Sequence, residues 1–189
     1  MALGKQRIRT NVKGGGTLKL RILHPTPVDV FTDVGYLGGT NLDDTRNMVQ
    51  TMDERGLVID YEEGSSEPVL KCVLHQSAAD EINLVKDADG KYYEAYYVVK
   101  TAEGKFQELD IPIVKIKCGA ILEFAAAKER TIDLEMHMLA VVTIGATITR
   151  APTGFNMDTT VNPYYVLVEN AAAINAPSDA GATVKTAVF

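Results

Sequence analysis

The chain has 189 residues, 46% hydrophobic and 23% charged, with a net charge of −6 at pH 7. This composition excludes a disordered chain, and no apolar run reaches the ~18 residues a membrane-spanning helix needs. It suits a single domain over residues 1–189, large enough to bury a core without metal or disulfide staples.

Residues 1–16, MALGKQRIRTNVKGGG, contain no apolar h-region and predict no secretion signal, so a chain made and folded in a cytosol is expected. They form the larger part of a basic arm. Lys5, Arg7, Arg9, Lys13, Lys19 and Arg21 fall within residues 1–24 with no acid among them. The remaining 13 of the 19 basic residues face all 25 acids in the rest of the chain. A basic arm on an acidic body can grip nucleic acid or dock on a neighbouring copy. Without interleaved aromatics, docking or simple solvation is the better reading. Gly14-Gly15-Gly16 precedes a strand and not a helix, which suits a hinge better than a phosphate loop.

Period-2 alternation then dominates and predicts strands. TLKLRIL (17–23) places Leu18, Leu20 and Ile22 opposite Thr17, Lys19 and Arg21. Residues 33–56 are polar with a Gly-rich start and only a short apolar patch (Met48, Val49, Met52), and are expected to form a long loop of the kind that is mobile, functional or ordered by a partner. LVIDYE (57–62) and VLKCVLH (69–75) resume the alternation. One helix is expected over 75–90, with Ser77 as N-cap, Asp80 three residues on, and Ala78, Ile82 and Val85 as its apolar stripe. Strands are predicted again at 91–100, 106–117, 121–125, 131–142 and 161–169. Pro112 marks a break, bulge or edge in the second of these. EFAAAKER (123–130) reads as a helix or as a strand end. Residues 170–189 are small and weakly charged and form a C-terminal arm.

Few residues suggest chemistry. IDLEMHML (132–139) sets Asp133, Glu135 and His137 on one strand face, opposite Ile132, Leu134, Met136 and Met138. Each two-residue step is about 7 Å, so a metal ion with bonds of about 2.0–2.6 Å reaches at most two of the three. The wet face of a half-buried strand is the better reading. Cys72 and Cys118 lack CxxC spacing and lie on apolar sides of their runs, as buried thiols do, although a bridge between facing sheets stays open. Asp87, Asp89 and Glu94 imitate part of a calcium loop without its spacing, so a turn is expected. Tyr92, Tyr93, Tyr96 and Tyr97 put aromatic rings on both faces of one strand, which predicts packing on two sides, one of them a neighbouring subunit. No catalytic, cofactor or metal residue is assigned.

The order of features resembles the phage tail tube proteins, whose hexameric rings stack into the inner tube of a tail. The stretches concerned are GYLGGTNLDDTRNMV, then ERGLVIDYEEGSSEPVLKCVLHQSAADEINLVKDA with Gln76, Ser77 and Ile82, then Ile111–Ile116 and Ile121–Phe124. The resemblance spans roughly residues 17–142. It implies two packed antiparallel sheets, a β-sandwich or barrel, with one short flanking α-helix, extended arms, and residues 33–56 as the long loop that bridges neighbouring subunits or rings. It also implies a virion structural protein without catalysis or cofactor, synthesised in the host cytoplasm. Implied partners are other copies of the chain and the sheath, baseplate and terminator proteins, with DNA crossing an acidic lumen without specific binding. Asp60, Glu62, Asp133 and Glu135 are candidate lumen residues. Contractile tails, non-contractile tails and bacteriocin-like particles fit equally. Rival readings are a capsid decoration or head–tail connector subunit, a metal-dependent hydrolase using Asp133, Glu135 and His137, and a sugar-binding sandwich using Tyr92–Tyr97.

Overall fold

The alternating runs become strands with few changes at their ends. A computed structural model describes residues 16–44, 46–52, 55, 58–75, 85, 89–119, 131–141, 147–148, 155–159 and 161–172. Its strands are β1 (Gly16–His24), β2 (Thr32–Asp43), β3 (Arg46–Met52), β4 (Val58–Ser66), β5 (Val69–His75) and β6 (Tyr92–Lys100). They continue with β7 (Phe106–Gly119), β8 (Thr131–Met138), β9 (Thr147–Ile148), β10 (Met157–Asp158) and β11 (Val166–Asn170). The protein is mainly β, its pairings are antiparallel, and helix is almost absent among the described residues.

Seven strands form one sheet in the order β11-β7-β6-β1-β2-β5-β8, and β8 also pairs with β7. The long strand β7 makes this double pairing possible. Its first part pairs with β11, from Phe106↔Asn170 to Asp110↔Val166. Its last part pairs with β8, from Val114↔Met138 to Gly119↔Asp133. Pro112 falls between these two stretches, where its missing N–H costs no ladder bond. On the other side of β7 the register to β6 slips from Ala95↔Ile111 to Tyr93↔Val114, a bulge of one residue. The bulge exchanges the faces of β7, so Leu109 and Ile111 enter the core before it and Val114 and Ile116 after it.

One face of the sheet holds the main core. Leu18 and Leu20 of β1, Leu70, Cys72 and Leu74 of β5, and Tyr93, Ala95, Tyr97 and Val99 of β6 are buried there. Ile132, Leu134, Met136 and Met138 of β8 join them, as their alternation predicts. Full burial of each large aliphatic side chain contributes about 1.5–3 kcal/mol. The opposite face of β1, β6 and β7 is covered by the chain itself. Asp29, Phe31 and Phe155 lie over it, and Leu23, Ile113, Val141 and Met157 make a second, smaller core.

The stretch 33–56, expected as an extended loop, holds most of β2 and all of β3. Glycines hide β2 from a reading based on alternation. Gly39, at φ 58°, sits in a bulge between Gly38↔Val73 and Asn41↔Lys71. Gly38 lets the His75 ring lie against the backbone, where a Cβ would overlap it. β3 and β4 pair with each other and form a separate two-stranded ribbon. The strand expected over 161–169 starts only at Val166, because Asn162 Oδ1 accepts the Tyr164 N–H at 2.9 Å and holds a turn.

Several expectations lie outside the described residues. These are the arm over 1–15, the strand 121–125, the segment 123–130 and most of the arm 170–189. Of the helix expected over 75–90, residues 76–84 and 86–88 lie outside the described residues; Val85 is helical and fully buried, while His75 ends β5 and Asp89 and Gly90 form a turn.

Candidate functional site

The face bearing Asp133, Glu135 and His137 was the first candidate, and the structure places it on the exposed side of β8. Glu135 stands between Lys71 of β5 and Lys117 of β7 in the ladder. Lys117 Nζ donates to Glu135 Oε2 at 3.0 Å, and His137 Nε2 lies 3.7 Å from the same oxygen. The hydrogen bond from Lys117 and its charge hold the Glu135 carboxyl below its ordinary value. This is a cross-strand charge ladder, a usual way to finish the wet face of a sheet. Among the described residues no three His, Cys, Asp or Glu converge as metal ligands.

A more unusual set lies on the covered face, which the sequence reading did not single out. Arg21, Glu94, Glu108 and Asp110 are each 2% exposed or less. Arg21 Nε donates to Glu94 Oε2 at 2.6 Å, and Nη2 lies 2.6 Å from that oxygen. The same guanidinium donates from Nη1 to the Asp29 carbonyl at 3.2 Å and lies 4.5 Å from the Phe31 ring centre. Tyr96 donates its hydroxyl to Glu108, and its ring meets Phe31 and Phe155 edge-on at 6.4 and 5.9 Å. Burial, then the hydrogen bond to Glu108, then the charges of Glu108 and Asp110 push the Tyr96 phenol well above its ordinary value.

The layer braces β1, β6 and β7 to the segments that cover them, and it offers almost no surface to a substrate. Its presence changes two expectations. The second aromatic face of β6 packs on Phe31 and Phe155 of the same chain, so no neighbouring subunit is needed there. Glu94, one of the three calcium-like acids, is instead the fully buried partner of Arg21. Asp89 and Gly90 lie in the turn before β6.

Cys72 and Cys118 are not in a disulfide. They stand opposite the same residue, Leu134, from the two sides of β8. Two strand spacings of about 4.8 Å put their Cα atoms roughly 10 Å apart, beyond the ~7 Å limit of a bridge. A bridge between facing sheets is thereby excluded.

The third candidate is the ribbon β3–β4. It is inserted where β2 and β5 would otherwise join directly, since Asp43 and Val69 face each other at the ends of those strands. None of the other described strands makes more than marginal contact with the ribbon. Met52, at the end of β3, is 55% exposed. The sequence announced β4 through its alternation, but β3 was hidden in a polar stretch.

No helix among the described residues is long and apolar enough to cross a membrane. No protein-family model matches the chain, and no curated protein matches it with significant similarity.

Proposed function

We propose that this chain is a non-catalytic structural subunit that assembles with its own copies into stacked hexameric rings, the tube of a phage-type tail. The ribbon β3–β4 carries the proposal. A two-stranded ribbon alone is marginal in water and needs a surface to cover it. This ribbon finds little such cover among the other described strands of its own chain. A neighbouring copy is the simplest source, and a closed ring gives every ribbon the same neighbour. The likeness of residues 17–142 to tail tube proteins points to the same arrangement.

The pairing order β7-β6-β1-β2-β5-β8, with β8 also paired to β7, suits the small barrel or two packed sheets which that likeness implies. Within a tube, DNA crosses most freely past acids, because each exposed Lys or Arg adds a phosphate contact. Asp133 and Glu135 share their face with Lys71, Lys115 and Lys117. Asp60 and Glu62, on the ribbon, are therefore our choice for the lumen. The subunit would reside in the virion tail after synthesis in the host cytoplasm.

Sedimentation velocity over a wide concentration range tests the proposal. Ring-sized and larger species support it; a chain that stays monomeric at the highest concentration sinks it.

A further inference from the structure

The ribbon β3–β4 leaves the sheet between Asp43 and Val69, the last ladder partners of β2 and β5. Each of its two roots is bonded to another part of the fold. On the β2 side, Asp44 Oδ2 accepts the Tyr165 hydroxyl at 2.7 Å. On the β5 side, the Pro68 carbonyl accepts the Met138 N–H at 3.0 Å, one step beyond the Val69↔His137 pair of β5 and β8. Pro68 also has its φ fixed by its ring, so this second root is stiff by construction.

Tyr165 is placed to act as a fixed point. Its ring is only 9% exposed and belongs to the main core, and its N–H donates to Asn162 Oδ1 at 3.4 Å in the turn before β11. The hydroxyl is thus the polar tip of a side chain whose apolar body is held by packing. Asp44 differs in being exposed and outside any strand. It stands directly after Asp43, the end of β2, and two residues before Arg46, the start of β3. A bond here therefore acts at the root of a long lever. The seven residues of β3 extend over about 23 Å, so a turn of about 20° at the root moves the far end by about 8 Å.

We propose that the Tyr165–Asp44 hydrogen bond is a latch that sets the direction of the ribbon in the single chain, with Tyr165 as the positioning residue. Two anchored roots let the ribbon leave the sheet at one angle, whereas one anchored root leaves a hinge. The latch concerns the isolated chain and stands whether or not rings form. If the tube reading holds, a ribbon already aimed gives up less freedom when a neighbouring copy covers it.

Pulsed electron paramagnetic resonance tests it, at a concentration where sedimentation shows monomer. Spin labels go on Met52→Cys and Ala102→Cys in a Cys118→Ser background, where the buried Cys72 stays unlabelled. Met52 is 55% exposed at the end of β3 and Ala102 is exposed in the turn between β6 and β7, so neither label enters the core. With Tyr165 and Asp44 intact, one narrow distance distribution is expected. Tyr165→Phe keeps the ring and removes only the hydroxyl, and should broaden the distribution about twofold, since a root without its bond becomes a hinge. Asp44→Ala, a change at an exposed residue, should broaden it equally, and the two changes together should add nothing further. A narrow distribution in either single variant overturns the proposal, as does a broad one with both residues intact.

Discussion

Arg21 and Glu94 form an ion pair with side chains 1% and 0% exposed, their charged atoms 2.6 Å apart. They sit on neighbouring strands as direct ladder partners, Arg21↔Glu94. Removing one partner alone leaves the other charge in a dry setting, at a typical cost of about 3–5 kcal/mol. Arg21→Met and Glu94→Gln should each lower the urea midpoint strongly. The double variant Arg21→Met, Glu94→Leu should recover part of the loss, since a well-packed apolar pair can replace a buried ion pair. Equal loss in the double variant and the worse single variant would contradict this account.

Much of this arrangement could be read in advance, and the exceptions have physical causes. IDLEMHML showed its core and wet faces because one side of β8 is buried and the other exposed. Pro112 marked its bulge, since a missing N–H confines Pro to such places. Glu108 and Asp110 were not singled out, because alternation shows which residues share a face but not what covers that face. The cover here comes from Phe31 and Phe155, remote in sequence from β7. β2 was missed because its glycines and bulge break the period. β3 was missed because its polar residues form a strand in a ribbon that stands apart from the sheet.

Alkaline pH should destabilise the fold in a defined order. Burial, with a smaller effect from Asp133, pushes the Cys72 thiol from 9.0 up to about 12. Burial and Glu108 push the Tyr96 phenol up from 10.0. Both groups are neutral when protonated, and both folded values lie above the unfolded ones. Their stabilising contribution is therefore whole below about pH 9 and is lost as pH rises toward the folded values. Each titrating group adds a slope of about 1.4 kcal/mol per pH unit. Denaturant melts from pH 7 to 11 should show stability falling from about pH 9. Cys72→Val should delay the onset to about pH 10, and Tyr96→Phe should flatten the limb above that.

The two thiols should differ sharply in reactivity. Cys72 is 4% exposed and its thiol resists ionisation, whereas Cys118 is half-buried near the end of β7. A colorimetric thiol reagent at neutral pH should titrate one group per folded chain and a second only after unfolding. Cys118→Ser should abolish the fast phase. A Cys72–Cys118 disulfide in the oxidised native chain would contradict the register that places both opposite Leu134.

The central claim is that the ribbon β3–β4 exists to be covered by another copy. Asp43 and Val69 already face each other, so residues 45–66 can be replaced by an Asn-Gly turn that closes β2 onto β5. Keeping Asp44 preserves its 2.7 Å bond from the Tyr165 hydroxyl, and keeping Pro68 preserves the acceptor of the Met138 N–H. The shortened chain should fold with the same sheet. Negative-stain electron microscopy of the two proteins side by side is the most direct measurement. The account predicts rings or stacked tubes with an open lumen for the full chain and only isolated particles for the shortened one. Tubes from the shortened chain, or only isolated particles from the full chain, would contradict it.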